Sequence, residues 1–361
     1  MNSRIFLLLI SVFCISPANA VPVQGLYSAE INLPVTQSEA QMLNEAFGLA
    51  AEDVLIKVSG DKNAIIGDLL EQAKKKAPAW VAQHSVASLS ELLPSNDGLV
   101  PGKKVKVSFY QESIDGFLSQ NNLPVWGDNR PSVLVWLVSE TNGIRALSGS
   151  KEPSDALNKL AQSASKIGVP IYAPLLDDVD KRNLATSDVW GFFEDSINNA
   201  SKRYQTDSVA ALRISNYSGQ VSGNLLVLLK NGETERFVLR GESLTDLIDQ
   251  ASADLAKVFS SRYASVRNSG SASELNLQVI GINSYTAMNK VQSYLESIGV
   301  VRDVTLVQVD GEKVEFSIEI DGDKQKLFNS ISLSRLLISA PLNALDPDAN
   351  RVASYQYSGV N

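Results

Sequence analysis

Ser132-Val133-Leu134-Val135-Trp136-Leu137-Val138 is the stretch on which the reading of the fold turns. After Ser132 the apolar residues follow one another without the polar alternation of a strand that has one wet face. The run therefore reads as a strand covered on both sides, which asks for helices above and below it. Downstream, Asp155 to Ile167 repeats apolar residues at helical spacing, and Gly168 stands just past its end. Val169 to Pro174 reads as a second, short strand. Ser187 or Asp188 can cap a helix running to about Tyr204, and Ser208 to Ile214 is a third strand. Gly223 to Leu229 and Glu235 to Leu239 flank Asn231-Gly232, a strong hairpin signal. Leu244 to Tyr263 closes the unit as an amphipathic helix. Strands alternating with helices make residues 126–264 a central α/β layer.

On the N-terminal side, residues 21–125 read as an α+β unit. Leu26 to Leu33 is a strand, and a helix from Glu39 to Val58 is stopped by Ser59-Gly60-Asp61-Lys62-Asn63. A shorter helix spans about Ala64 to Lys76 and is broken at Pro78-Ala79-Trp80. Lys103 to Tyr110 alternates as a strand, followed by a helix near Gln111 to Asn121. On the C-terminal side, Ser-rich residues 265–273 read as a linker. Residues 274–340 follow the order β-α-β-β-α of a ferredoxin-like unit, with Asp310-Gly311 turning its hairpin and a last helix over Asp323 to Leu337. Residues 341–361 form a polar stretch that reads as a flexible tail. The fold class expected is thus α/β and α+β, in three small mixed domains.

The first twenty residues have the make-up of an export signal. Arg4 precedes an apolar run, Ile5 to Ile15, and Ala18-Asn19-Ala20 forms an A-x-A site. The run is too short to span a bilayer, which takes about 20 residues. Cleavage is expected after Ala20, with a periplasmic product. Cys14 is the one cysteine of the chain and lacks the small residues that precede the cysteine of a lipid-anchor signal, so no anchor is expected. Without its leader the chain has no thiol, which excludes disulfides, thiolate metal sites and a cysteine nucleophile. Loss of Arg4 from 32 basic residues leaves 31 against 40 acidic ones. That balance, with no basic run beyond Lys74-Lys75-Lys76, argues against nucleic acid. No second apolar segment is long enough to cross a membrane.

Chemical motifs are sparse. His84 is the single histidine, and no G-x-S-x-G turn offers it a nucleophile. Asp177, Asp178 and Asp180 form the densest acidic cluster, but the spacing of a calcium loop is missing, and they read as a solvated loop. No phosphate-cradling glycine pattern occurs, so no cofactor and no metal are expected. The most distinctive constellation is Trp126, Asn129, Arg130 and Pro131. Trp and Arg are enriched at binding hot spots, which suggests a recognition patch. Alternatively Trp126 packs at a domain junction, Asn129 and Arg130 cap the turn, and Pro131 fixes the backbone ahead of the central strand. Trp136, inside the apolar run, reads as core.

The tract Leu123 to Leu137, with Val54 to Asp61 and Ala77 to Val81, resembles domain-of-unknown-function family 2066, a set of exported proteobacterial proteins. The order of elements over residues 132–264 is similar to that of the N-terminal domain of the Tol translocation protein TolB. The resemblance implies a place in the cell envelope and brings no catalytic residues with it. The function expected is that of a non-enzymatic periplasmic accessory or adaptor protein that binds another envelope protein. The alternative is a small-molecule or glycan-binding module using a crevice at the C-terminal ends of the central strands. A hydrolase comes third.

Overall fold

The computed structural model describes residues 23, 25–96, 98–266, 272–340 and 353–359. The proposed leader, Met1 to Ala20 with Cys14, lies outside the described residues. The chain is a mixed α/β protein whose strands fall into separate sheets.

The first sheet is built from β1 (Ser28–Pro34), β2 (Val81–Ser95) and β3 (Gly98–Phe109), in the order β1-β3-β2 and antiparallel throughout. Helices α1 (Glu39–Ser59), α2 (Asp68–Trp80) and α3 (Gln111–Gln120) cover one face. Val105, Val107 and Phe109 alternate inward from β3 against Ala46, Ala50, Val54, Ala77 and Trp80, as the period of two requires. Two expectations need correction. The second helix runs on through Pro78 to Trp80 instead of breaking there. Pro78 stands in its last turn, and Ala77 and Trp80 are drawn into the core. The stretch left unassigned after it is a strand, β2, and the expected strand at Lys103 begins earlier, at Gly98.

Residues 124–263 supply the two-residue strand β4 (Pro124–Val125), then β5 (Val133–Thr141), β6 (Ile144–Ser148), α4 (Asp155–Ile167), β7 (Ile171–Tyr172), α5 (Asp178–Asn183), α6 (Thr186–Gly191), α7 (Glu194–Ser201), β8 (Ser208–Tyr217), β9 (Gln220–Leu229), β10 (Thr234–Gly241) and α8 (Leu244–Tyr263). The second sheet has the order β10-β9-β8-β5-β6, with β7 beside the start of β5; β5 and β8 are parallel. The apolar run of β5 is divided by the pleat. Val133, Val135 and Leu137 meet α4 and α8, whereas Leu134, Trp136 and Val138 meet the layer of α6 and α7. Trp136 is fully buried, and its indole N–H donates to Ser201 Oγ at 2.9 Å. The single helix expected up to Tyr204 is in fact two short ones, α6 and α7, followed by a 3-10 turn over Lys202–Tyr204, because Phe192 takes φ +56° and turns the chain between α6 and α7.

The supposed linker is partly structured. β11 (Ser265–Val266) pairs with β4, and β12 (Ala272–Ile280) begins inside the span assigned to the linker; residues 267–271 lie outside the described residues. The last sheet also contains β13 (Val301–Asp310), β14 (Lys313–Asp321), β15 (Leu337–Ser339) and β16 (Ala353–Tyr357), with α9 (Tyr285–Ser297) and α10 (Lys324–Leu333) on one face. β14 lies between β12 and β13, the split β-α-β arrangement that the sequence led us to expect. The tail expected to be flexible contains a strand. Its residues 353–357 are strand β16, which is inserted between β12 and β15. Tyr355 and Tyr357 give this polar stretch a period-two apolar face that packs against the core.

Candidate interaction surface

The tract Trp126–Pro131 is where the three sheet units meet. Trp126 N donates to Val58 O at 2.8 Å, which ties the tract to the end of α1. Asn129 Nδ2 lies 3.4 Å from both Tyr294 Oη and Ser330 O, on α9 and α10. Gly127 packs backbone to backbone against Gly299. Pro131 is buried directly ahead of β5.

Arg130 is completely buried, and it is held by carbonyl oxygens. Nε donates to Gly127 O at 2.9 Å, Nη1 to Ile167 O at 3.2 Å and Gly168 O at 2.9 Å, and Nη2 to Lys57 O at 2.7 Å and Trp126 O at 2.9 Å. These oxygens belong to the C-terminal ends of α1 and α4 and to the tract itself. Carbonyls at a helix C-terminus lack intrahelical donors and carry partial negative charge, so one guanidinium fork satisfies two helix ends together. The guanidinium carbon lies 4.0 Å from the Trp126 ring centroid, within cation–π range. Burial pushes the Arg130 pKa down to about 9, and Tyr27 and Asp128 oppose that shift. The carbonyl acceptors favour the charged form, so the group stays a cation at neutral pH. Burial also raises the Asp128 carboxyl above its ordinary value.

Two glycines make room for this pair. Gly60 ends α1 at φ +70°, and a Cβ there would lie 2.7 Å from Trp126 Cε3. Gly168 ends α4 at φ +77°, and a Cβ there would lie 2.3 Å from Arg130 Nη1. At both positions a side chain would be excluded by sterics and disfavoured by the left-handed backbone. Trp126 is 1 % exposed and Arg130 is not exposed at all, so these side chains form a junction and present no surface to a partner.

The other singled-out residues are placed as follows. Asp177 and Asp180 are bound by Arg203, whose Nη1 lies 2.7 Å from Asp177 Oδ1 and 3.0 Å from Asp180 Oδ1. Asp177 also caps α5 by accepting from Val179 N and Asp180 N, and Tyr204 Oη donates to Asp180. The Arg203 hydrogen bonds hold the Asp177 carboxyl well below the ordinary carboxylate range. Their charge is thus already matched by a guanidinium; Asp178 stays outside this network, at the start of α5. His84 is exposed on β2, with its ring edge against Phe47 at 5.2 Å. The C-terminal ends of β5 and β8, where a ligand crevice was considered, carry a group of polar and aromatic side chains. Glu140 accepts from Arg145 and Ser215 at 3.1 Å each, and the Trp190 ring centroid lies 4.1 Å from the guanidinium carbon of Arg145 and 5.8 Å from that of Arg213. Two clefts lie between units. One of about 330 Å³ is bordered by Gln205, Asp207, Lys230 and Arg335, and another of about 460 Å³ by Tyr27, Asp128 and Glu296.

What projects from the molecule is the β2–β3 ribbon. β1 accompanies β3 only as far as the pair Pro34–Gly102. Beyond it Val35 N still donates to Pro101 O at 2.9 Å, and β2 and β3 continue as a pair through Leu92–Pro101, Leu93–Val100 and Pro94–Leu99 to Ser95–Gly98. At about 3.3 Å per residue, the part past Pro101 extends roughly 10 Å. Leu89 and Leu93 fold over Gly102, while Leu92 and Leu99 are 55 % and 68 % exposed. Leu92, Pro94, Leu99 and Pro101 share one face of the ribbon by register. The sequence carried this signal as Leu89, Leu92-Leu93-Pro94 and Leu99-Val100-Pro101 around the turn, but the two bulges in β2 shift its pairing and obscure the alternation.

A mixed α/β molecule built round a buried three-way junction, with an apolar ribbon standing clear of it, is the class of protein that the geometry defines. A protein-family model described as Domain of unknown function (DUF8605) matches residues 20–127, which takes in the first sheet, the ribbon and Trp126. No curated protein matches the chain. Among the described residues no helix is long and apolar enough to cross a membrane.

Proposed function

We propose that this protein is a non-enzymatic accessory or adaptor of the cell envelope, acting in the periplasm, and that it binds another envelope protein through the β2–β3 ribbon. The observation that carries this reading is the exposed apolar face of Leu92, Pro94, Leu99 and Pro101 on a segment that, among the described residues, is two-stranded past Pro101. A lone two-stranded ribbon is marginally stable in water, and an apolar face on it gains from being covered by a partner. Export by cleavage after Ala20 is part of the proposal. It is supported by the A-x-A site at Ala18 to Ala20. The finer likenesses to domain-of-unknown-function family 2066 and to the TolB N-terminal domain belong to the same proposal.

The test pairs cell fractionation with crosslinked pull-down of the parent chain and of a Leu92→Asp, Leu99→Asp variant. The proposal expects a processed periplasmic protein whose partner is retained by the parent and lost by the variant, with equal melting temperatures. A cytoplasmic product, or a partner retained equally by both, would refute it.

A further inference from the structure

The cleft of about 330 Å³ between the central and last units is bordered by charges of both signs. Asp207 stands just ahead of β8, and Lys230 just past β9, so both come from the central sheet. Arg335 comes from the short connection between α10 and β15. The cleft therefore lies at the opposite end of the central strands from Glu140, Arg145 and Trp190.

All three charges keep spare hydrogen-bonding capacity, and two of them are held in place. Asp207 Oδ2 accepts from Ser132 N at 2.8 Å and from Ser132 Oγ at 2.6 Å, which fixes the carboxylate beside the start of β5. Its Oδ1 has no donor among the described residues. Arg335 Nη2 donates to Gln205 Oε1 at 2.8 Å across the gap between the units. An amide oxygen leaves the guanidinium charge unmatched and its other donors open. Gln205 takes φ +53°, a left-handed backbone that a glutamine disfavours, and strain of that kind gathers where a side chain has to be placed for a ligand. The Arg335 backbone is pinned as well, since Leu336 N donates to Ser334 Oγ at 3.0 Å and Ser358 Oγ to Arg335 O at 2.5 Å. Lys230 is exposed and has no partner among the described residues.

Both cations act on the Asp207 carboxyl. Burial raises it above its ordinary value, and the Ser132 hydrogen bonds together with the charges of Lys230 and Arg335 oppose that rise. The opposite charges thus face one another across the cleft without closing into an ion pair. The half-buried rings of Phe328 and Tyr355 supply an apolar wall. An apolar wall with a few convergent polar groups is the make-up of a small-molecule site, and this volume is at the lower end for one.

We propose that this cleft binds a free α-amino acid with an apolar side chain. The ligand's carboxylate lies between Arg335 and Lys230, where it can take a fork of guanidinium N–H groups. Its ammonium reaches Asp207 Oδ1, and its side chain lies against Phe328 and Tyr355. A plain anion would meet the Asp207 carboxylate, and a plain amine would meet two cations; a molecule carrying both signs satisfies all three groups. The site is separate from the ribbon and does not rest on the function proposed for it.

The probes are leucine and phenylalanine, titrated into the purified protein by isothermal titration calorimetry. At least one binds with a dissociation constant of about 1 mM or lower. Lys230→Gln and Arg335→Gln each weaken that binding at least about tenfold, and Asp207→Asn does the same. Because Asp207 also holds Ser132, its variant is paired with a measurement that leaves the fold untouched. Isocaproate and hydrocinnamate, which lack the amino group of leucine and phenylalanine, bind the parent at least about tenfold more weakly than the amino acids. Leu92→Asp, Leu99→Asp leaves amino-acid binding unchanged. The proposal is overturned if neither amino acid binds at concentrations up to about 20 mM. It is overturned equally if Lys230→Gln and Arg335→Gln bind like the parent, or if the deaminated acids bind as tightly as the amino acids, which would make the cleft a general anion site.

Discussion

Replacing Arg130 by methionine sets two physical expectations against each other. Methionine keeps much of the volume and removes every donor. Buried charges replaced by apolar groups of similar size often leave stability unchanged or raised, because the desolvation of the charge is no longer incurred. Here, however, the partners are five carbonyl oxygens, and three of the five hydrogen bonds, those to Ile167, Gly168 and Trp126, are fully buried. Methionine leaves these oxygens in place without donors, at roughly 1–3 kcal/mol each. The cation–π contact with Trp126 adds about 1 kcal/mol. Relief of guanidinium burial offsets part of this, so the net loss is about 4 kcal/mol. For units of this size that corresponds to a fall of roughly 10 °C in melting temperature. Arg130→Lys keeps the charge but offers its donors from one point, and it should lose about half as much. Differential scanning calorimetry of the three chains at pH 7 provides the measurement. A methionine variant that melts within about 2 °C of the parent would refute the view that the guanidinium satisfies the two helix ends.

Three other predictions follow from the same geometry. Trp126→Ala should cost about 3 kcal/mol, and the Trp126→Ala, Arg130→Met pair less than the sum of the two, since the side chains stack on one another; calorimetry of the double variant reads the coupling. Gly168→Ala should destabilise by more than the roughly 1 kcal/mol of a positive-φ glycine alone, because its methyl meets Arg130 Nη1; a Gly168→Ala chain as stable as the parent contradicts that packing. Asp177 has its folded pKa depressed by Arg203, so its contribution to stability is present above the unfolded value near pH 4 and lost as pH falls through the folded one. Asp177→Asn should therefore lower the melting temperature at pH 7 and make little difference at the acid end, as melts across pH 2 to 7 would show.

Much of the layer structure was legible because it rests on local pattern. The bounds of α4 and α8, each with a serine cap and with Gly168 after α4, coincide with the expected ones. The two-sided burial of β5 follows from an apolar run with no polar alternation. What escaped the reading depended on distant partners or on broken periods. β2 carries two bulges, so its alternation is interrupted, and Pro78 looked like a helix breaker although it falls in a last turn held by Ala77 and Trp80. β16 is five residues within a polar stretch, and only its pairing with β12, more than seventy residues earlier, makes it a strand. The tract Trp126–Pro131 was conspicuous in sequence, but its residue types allowed both a binding patch and a junction. Burial of Arg130 among the carbonyls of α1 and α4 separates the two, and that is a three-dimensional fact.

The central claim, that the ribbon meets an envelope partner, is tested most directly by site-specific photo-crosslinking in living cells. A photoreactive residue at Leu99 is compared with one at Lys181, an exposed position on α5 far along the chain. A discrete crosslinked adduct from Leu99, absent from Lys181 and confined to the periplasmic fraction, is the predicted result. No adduct from Leu99 in a correctly exported chain, or the same adduct from both positions, would contradict it.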